Sequence, residues 1–267
     1  MMDDMHGAGT RDGVRLVGGR ENGVRYGFTE RGVGVSLPPY ASLNLGAHVG
    51  DDPAAVAENR RRALAALDAE GCLERLLVPN QVHGAEVALV DDASEGALAR
   101  VRGSIAAGCD AIVCTVPGVP VMLCFADCVP VVLTCPGGFA VVHSGWKGTE
   151  ARICARAATR LMEATGVAAG EVRAHIGPHI LGDEYEVSTE LMERFAAGFA
   201  CVRPAAESGS RLLDLSACIV EALAEVGVPA ANVEDLGLST VRDNDRFYSY
   251  RAEGGTCGRH AAVAILA

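Results

Sequence analysis

Aromatic side chains, basic charge and long apolar runs are all scarce in this sequence of 267 residues. Aromatic residues make up 4% of the chain, and Trp146 is its single tryptophan. Acidic residues outnumber basic ones by 34 to 23, and the net charge of −11 argues against nucleic-acid binding and against binding to anionic membranes. The most apolar stretch, residues 119–142, is interrupted by Asp127, by prolines and by paired glycines, so it is too broken to span a membrane.

Familiar cysteine and histidine spacings are also absent, because the chain contains neither CxxC nor HExxH. It nevertheless has ten cysteines, and residues 1–13 offer no apolar segment of a secretion signal. We therefore predict a cytoplasmic protein in a reducing environment, in which most thiols act as small buried apolar groups. Residues 1–13 are acidic and glycine-rich and are predicted to form a disordered tail, and residues 14–267 are predicted to form one domain.

The remaining pattern favours an α/β fold. Hydrophobic residues make up 49% of the chain and charged residues 21%, as in globular proteins. Near-continuous β-branched runs predict strands that are covered on both faces. Predicted strands cover residues 24–36, 76–84, 85–91, 109–115, 119–127, 129–135, 137–144, 172–180, 233–240 and 260–267. Predicted helices cover residues 53–70 (capped by Asp52 and stopped by Gly71), 150–165 (capped by Thr149), 188–199 and 214–226. In the second of them Ile153, Ala157 and Leu161 form an apolar stripe on one face. These elements predict a single compact domain with mixed β-sheets covered by helices.

Three breaks between apolar runs carry reactive side chains. His83 ends "PNQVH", His143 ends "AVVH", and "FADCVP" places Asp127 and Cys128 between two apolar segments. Two imidazoles and one thiolate suit zinc with an open fourth position. A Cys/His nucleophile pair and a purely structural role remain open on the residue types alone. Asp127 must be paired or must orient another group, such as a ligand histidine, because burying it unpaired would be costly. His6 and His260 are interpreted as structural or solvated.

The segments together resemble a known family. "GFTERGVGVS", "YASLNLGAHVGDDPAAVAENRRR", "NQVHG", "FADCVPVVL", "AVVHSGWKGT", "HIGPHI" and "DNDRFYSYRAEGGTCGRHAAVAIL" resemble, in this order, the blocks of the laccase-domain family. Its members are also called multicopper polyphenol oxidase-like proteins, purine nucleoside phosphorylases or peptidoglycan editing factors. The resemblance implies that His83, Cys128 and His143 are metal ligands, normally for zinc. It also implies phosphorolysis of adenosine, inosine, guanosine and methylthioadenosine, together with adenosine deamination.

These activities suggest roles for further residues. For deamination, zinc lowers the pKa of bound water, and Asp127 is the candidate proton shuttle. For phosphorolysis, the turn "HSGWKGT" at a helix N-terminus with Lys147 suits an anion, and Arg31 is a second candidate. Trp146 is predicted to stack on a purine or to wall the pocket, and Asn44 to read a sugar or base edge. The expected partners are purine nucleosides and phosphate, with the chain a monomer or a small homo-oligomer.

Two rival functions remain open. One is a copper-dependent polyphenol oxidase, because divalent copper binds N/S sites tightly. Seven histidines and the absence of any HxH pair argue against a multicopper centre within one chain. The other is a hydrolase with Cys128 as nucleophile and His143 as base, acting in the editing of peptidoglycan precursors.

Overall fold

The computed structural model describes residues 13–267, so His6 and nearly all of the predicted tail lie outside the described residues. Within that range the strands are β1 (Leu16–Glu21), β2 (Val24–Thr29), β3 (Val87–Val90), β4 (Ala111–Cys114), β5 (Val121–Phe125), β6 (Val129–Cys135), β7 (Gly138–Ser144), β8 (Arg173–Ile176), β9 (Val233–Asp235) and β10 (His260–Leu266). The helices are α1 (Pro53–Ala66), α2 (Glu95–Ala107), α3 (Trp146–Glu150), α4 (Ile153–Thr165), α5 (Thr189–Gly198), α6 (Ala205–Ser208) and α7 (Leu215–Glu225).

The strands form two sheets. The smaller sheet has the order β1-β2-β10-β5 and is antiparallel throughout. The larger sheet has the order β3-β4-β7-β6-β8-β9, in which only the two outer pairs, β3 with β4 and β8 with β9, are parallel. This mixed α/β architecture confirms the predicted fold class.

The long buried strands of the larger sheet serve two cores at once. Every residue of β6 and β7 is buried. Along β6, Val131 and Leu133 pack with the outer helices, whereas Val132 faces the core shared with the smaller sheet. Successive side chains of a strand point to opposite faces, so a strand covered on both sides reads as a continuous apolar run. The prediction of sheets covered on both faces is confirmed.

Helices cover the outer face of each sheet. In α4 the predicted apolar stripe, Ile153, Ala157 and Leu161, is fully buried against the larger sheet together with residues of α5 and α7. Residues of α1, including Leu64, cover the outer face of the smaller sheet. Asp52 caps α1 as predicted, accepting a hydrogen bond from the Ala54 N–H. No helix within residues 13–267 is both long and apolar enough to cross a membrane.

Several element boundaries differ from the sequence prediction. Helix α1 ends at Ala66, and Gly71 lies inside a following 3₁₀ helix, Glu70–Arg75, instead of stopping α1. Thr149 caps no helix, because its hydroxyl bonds that of Ser144, and α4 begins only at Ile153. Strand β1 and helix α2 were not predicted.

The segment predicted as a strand over residues 76–84 is a loop apart from one bridge at Leu77. There the Gln81 side chain replaces a strand partner. It bonds both the N–H and the carbonyl of Cys124 in β5, at 2.8 Å each.

The two sheets meet at one edge of the shared core. Strand β5 ends in the smaller sheet at Phe125, and β6 begins in the larger sheet at Val129, so residues 126–128 cross from one sheet to the other. His143 at the end of β7 pairs with Pro130 near the start of β6. The crossing segment and the end of β7 are therefore neighbours.

A truncation in the shared core tests this packing. Phe139 is fully buried between the sheets, and replacing it with alanine removes a large apolar side chain and leaves a cavity. We expect Phe139→Ala to lower the free energy of unfolding by about 3–5 kcal/mol, measured by denaturant titration. Leu37→Ala is the control, because Leu37 is 75% exposed, and its change should stay within about 0.5 kcal/mol. Similar effects of the two substitutions would contradict the assigned core.

Candidate metal centre

The structure brings together three side chains that the sequence singled out. The ligand atoms of His83, Cys128 and His143 all lie within 4.8 Å of one another. His83 comes from the loop before β3, Cys128 from the crossing segment and His143 from the end of β7. His143 is buried, Cys128 is partly buried and His83 is exposed, so the cluster has a protected side and an open side. Within residues 13–267 it is the one such group that could hold a metal ion.

Asp110 holds both histidines in place. Its Oδ1 lies 2.7 Å from His143 Nδ1, and the carboxylate accepts hydrogen bonds from the N–H groups of Val82, His83 and Gly84 at 2.7–3.2 Å. Asp110 is fully buried. One carboxylate therefore orients the ring of one histidine and fixes the backbone of the other.

The charges of the cluster stabilise one another. Burial alone raises the pKa of the Cys128 thiol, but the neighbouring imidazoles of His143 and His83 outweigh burial and lower this pKa to about 6. Burial alone lowers the pKa of His143, but the Cys128 thiolate and the Asp110 carboxylate outweigh it and raise this pKa to about 9. Burial also acts to raise the pKa of Asp110, yet the His143 and backbone hydrogen bonds leave it lowered. The thiolate is thus the favoured form of Cys128.

The backbone around the cluster leaves no room for larger side chains. A Cβ added to Gly145 would lie 3.0 Å from Cys128 Sγ and 3.1 Å from His83 Cδ2. His83 and Asp127 adopt positive φ values of 58° and 88°, which non-glycine residues rarely do. Glycine at position 145 is therefore a condition for the close approach of the side chains.

This donor set fits a zinc ion. With Nδ1 of His143 bonded to Asp110, its Nε2 is the nitrogen left for a metal, as is usual for metal-bound histidines. Three protein ligands of the types His, Cys and His, with an open side, are typical of catalytic zinc sites.

Asp127 does not orient a ligand histidine, which was one of the two roles predicted for it. Its Oδ1 accepts a hydrogen bond from the Thr240 hydroxyl and its Oδ2 one from the Arg251 N–H, each at 2.7 Å. The carboxylate thus pins two loops beside Cys128, and Asp110 is the residue that orients a ligand histidine. The sequence analysis does not single out Asp110. Its segment "CDAIVCT" nevertheless has the feature that drew attention to Asp127, a carboxylate directly beside a buried apolar strand.

The anion-binding role predicted for Arg31 conflicts with its contacts. Its guanidinium forms a bidentate ion pair with Glu253, at 3.0 and 3.1 Å, and donates to the carbonyls of Asn244 and Ala41. It also lies 4.2 Å from the centre of the Tyr248 ring. A cation neutralised and held in this way joins loops of the protein and has little charge left for a phosphate.

Asn44 is likewise a structural residue and not a reader of substrate edges. It is fully buried, its Nδ2 donates to Gly46 and Asp51, and its Oδ1 accepts from the N–H groups of Gly46 and Arg259. Both ends of the amide are therefore used within the protein, which leaves it no edge to present to a ligand.

Trp146 and Lys147 lie in α3, directly after the glycine that touches the metal cluster. Trp146 is half-buried against the outer core, and Lys147 Nζ lies 5.4 Å from the centre of its ring. Helix α3 has only five residues. Substrate binding by these two residues remains a prediction.

Arg251 and Tyr185 form a further feature near Cys128 that the sequence analysis does not predict. The Arg251 guanidinium lies 5.6 Å from the Tyr185 ring centre. Burial raises the pKa of Tyr185, and the negative charges of Cys128 and Asp127 act in the same direction. The Arg251 N–H also bonds Asp127, so the pair of Arg251 and Tyr185 lies beside the segment that carries Cys128.

His260, which was interpreted as structural or solvated, is fully buried at the start of β10. Its ring packs near those of Phe125 and Phe247, with centroid distances of 6.2 and 5.7 Å. Burial lowers its pKa from 6.5 to about 3. The ring is therefore neutral in the folded protein and belongs to the packing behind the cluster.

Comparison with known proteins identifies the family of the chain and agrees with the fold. The chain belongs to the multi-copper polyphenol oxidoreductase laccase family, which matches residues 25–267. A protein of Streptomyces coelicolor named purine nucleoside phosphorylase is 38% identical over 262 residues, covering 94% of this chain and 100% of the relative. One of Mycobacterium tuberculosis with the same name is 36% identical, covering 91% and 92%.

Solved structures of relatives share the architecture. YlmD from Geobacillus stearothermophilus superposes with a TM-score of 0.80 at 30% identity, covering 91% of this chain and 92% of that one. The hypothetical protein YfiH from Bacillus licheniformis superposes with a TM-score of 0.82 at 28% identity, covering 95% and 96%.

Asp110→Asn tests the anchoring of the two histidines. The substitution keeps the size of the side chain but removes its charge and replaces one acceptor oxygen by a donor. We expect zinc affinity, measured by competition with a chromogenic chelator, to fall by about 10–100-fold. Asp91→Asn is the matched control and should retain zinc affinity, because Asp91 is exposed and lies outside the cluster. Equal losses in both variants would refute this role of Asp110.

The buried neutral state of His260 predicts a pH dependence of stability. Below pH 6.5 the unfolded chain binds a proton at His260 that the folded protein does not bind until about pH 3. Stability is therefore lost as the pH falls through this window. Between pH 7.5 and 5.0 we expect the wild type to lose about 2 kcal/mol more than His260→Phe in denaturant unfolding. Parallel pH profiles of the two proteins would contradict a buried neutral ring.

Proposed function

We propose that this chain is a zinc-dependent enzyme that processes purine nucleosides. The proposed reactions are phosphorolysis of adenosine, inosine, guanosine and methylthioadenosine, and deamination of adenosine. The observation that carries the proposal is the convergence of His83, Cys128 and His143 within 4.8 Å at a half-open edge of the fold. Relatives named purine nucleoside phosphorylase, aligned over more than nine-tenths of the chain, support the choice of substrate class.

The chain's own residues divide the work around the cluster. Asp110 keeps His143 oriented and holds the loop of His83, so the two histidine ligands are held in place before substrate arrives. When bound, zinc supplies a Lewis acid and a water of lowered pKa. Arg251, which donates its N–H to Asp127, and the Tyr185 ring beside it border the segment that carries Cys128.

We retain Asp127 as the candidate for proton transfer in deamination. Its carboxylate is adjacent in sequence to Cys128, and each of its oxygens has a second lone pair beside the hydrogen bond that it already accepts. The same bonds fix its position, so a proton would be taken up or released at a defined point. This role is separate from the orientation of His143, which belongs to Asp110.

A multicopper centre requires more ligands than the cluster supplies, whereas a single copper ion in place of zinc remains open. Within residues 13–267 a single His/Cys/His group could hold a metal, which suits one ion and not a multicopper centre. The hydrolase alternative would use Cys128 as nucleophile and His143 as base. A thiolate bound to zinc is not free to attack, so the metal content of the purified protein separates the two hypotheses.

Incubation of the pure protein with inosine, adenosine and methylthioadenosine, with and without phosphate, tests the proposal. We expect free base to form only when phosphate is present, together with ribose 1-phosphate from inosine and adenosine and 5-methylthioribose 1-phosphate from methylthioadenosine. Adenosine should yield inosine and ammonia without phosphate. Chromatography of the products and zinc analysis are the measurements. Cys128→Ser and His83→Ala should each lower both activities by at least about 100-fold, because each removes a ligand that positions the metal.

Cys201→Ser is the control, because Cys201 is exposed and lies outside the cluster. It should leave both activities and the zinc content unchanged. Full activity in folded Cys128→Ser protein would show that the reaction takes place elsewhere. Oxidation of phenols with stoichiometric copper, without any nucleoside turnover, would favour the oxidase instead.

A further inference from the structure

With Arg31 neutralised by Glu253, another group of basic side chains is better placed to bind an anion. His48, Arg60 and Arg259 lie together on the smaller-sheet side of the metal cluster, and we call them the basic triplet. Within the described part of the chain no carboxylate is within ion-pairing distance of Arg60 or Arg259.

Close packing around Gly46 joins His48 to Arg259. A Cβ added to Gly46 would lie 2.7 Å from Cγ of Arg259 and 3.4 Å from Cε1 of His48. The Arg259 backbone is fixed on the same loop, donating to Asn44 Oδ1 and accepting from the Leu45 N–H. This explains why Asn44 is fully engaged within the protein: it positions Arg259.

The guanidinium groups are held from one side only. Arg60 in α1 uses Nε and Nη2 to bond the Leu45 carbonyl, at 3.0 and 2.9 Å. The side-chain hydrogen bonds of Arg259 within residues 13–267 all come from Nη1, to the Cys257 carbonyl and sulfur and to the Gly258 carbonyl. Each fork thus has an anchored side and further N–H groups, which is suited to recognition of an oxyanion.

The fold sets the triplet beside the metal cluster. Arg259 immediately precedes His260, which pairs with Phe125 at the end of β5. The ring of Phe125 lies 5.4 Å from that of His143. The two groups therefore share the edge at which the sheets meet.

Electrostatics agrees with this placement. The pKa of His48 is lowered by partial burial, then by Arg259 and Arg60, and further by His143 and His83. All four of those neighbours are basic. An anion bound among them would relieve their mutual repulsion.

We infer that His48, Arg60 and Arg259 form a subsite for inorganic phosphate beside the metal cluster. The chemical class of ligand follows from the triplet alone. Its use as the attacking phosphate of phosphorolysis rests on the proposed function. The subsite replaces the one that the sequence suggested at Arg31.

Calorimetric titration of inorganic phosphate into the full-length protein tests the subsite. The solution contains no nucleoside and about 150 mM NaCl, close to physiological ionic strength. We expect Arg259→Gln and Arg60→Gln each to raise the dissociation constant for phosphate by at least about tenfold. His48→Asn should raise it by about threefold, and it breaks no hydrogen bond seen within residues 13–267, so it keeps the test valid if an arginine variant fails to fold. Arg203→Gln, at an exposed position, is the control and should bind as the wild type does.

Three results would overturn the subsite. One is the absence of phosphate binding by the wild type at millimolar concentrations, and another is equal binding by the wild type and all three triplet variants. The third is loss of binding in Lys147→Gln alone, which would place the anion at α3. If adenosine 5′-monophosphate binds more tightly than phosphate with the same dependence on Arg259, the ligand is a nucleotide and the assignment to inorganic phosphate fails.

Kinetics on the same variants separates this inference from the proposed function. A phosphate KM raised about tenfold in Arg259→Gln, with the nucleoside KM nearly unchanged, supports both. Phosphate binding that depends on the triplet, without any cleavage of nucleosides, supports the subsite and contradicts the function. Phosphorolysis with an unchanged phosphate KM in the triplet variants supports the function and refutes the subsite.

Discussion

The buried carboxylate of Asp110 is the interaction on which the rest of the site depends. It bonds the ring of His143 and the backbone of the loop that carries His83. It therefore fixes the backbone from which the His83 side chain extends, and it determines which nitrogen of His143 faces Cys128. A carboxylate without exposure to water is stable only with such partners, and it finds them in one imidazole and three N–H groups. The hydrogen bonds that stabilise this buried charge are thus the same ones that position the two histidine ligands.

Much of the fold follows from patterns that are local in the sequence. The β-branched runs of β6 and β7 predict strands buried on both faces, and the Ile153, Ala157, Leu161 stripe predicts the buried face of α4. Helix α2 was missed because its few apolar residues, such as Leu98 and Ile105, are spaced among small and charged ones. The segment 76–84 was predicted as a strand from its apolar residues, but in the structure it is a loop. Its Gln81 side chain bonds the backbone of β5, 43 positions further along the sequence, and no local pattern reveals such a contact.

For the site, the sequence indicated which residues belong to it more accurately than it indicated their interaction partners. His83, Cys128 and His143 were found because each stands where an apolar run breaks, and the topology brings these breaks together. The roles of charged residues depend instead on distant neighbours. Arg31 in the sequence is a free cation near a glycine-rich turn, whereas in the structure Glu253, more than 200 residues away, neutralises it. An ion pair over such a distance depends on tertiary structure and cannot be inferred from spacing.

The position of the ligands ties metal binding to the integrity of both sheets. Cys128 lies on the segment that leaves the smaller sheet for the larger one, and His143 ends a strand of the larger sheet. His83 is attached to the smaller sheet through Gln81 and to the larger one through Asp110. A metal held by these three side chains would therefore connect the two sheets at their common edge. Because the unfolded chain has no such preformed site, the free energy of binding adds to the free energy of unfolding. The ion that we propose for the chemistry would thus also hold the two sheets together at their common edge.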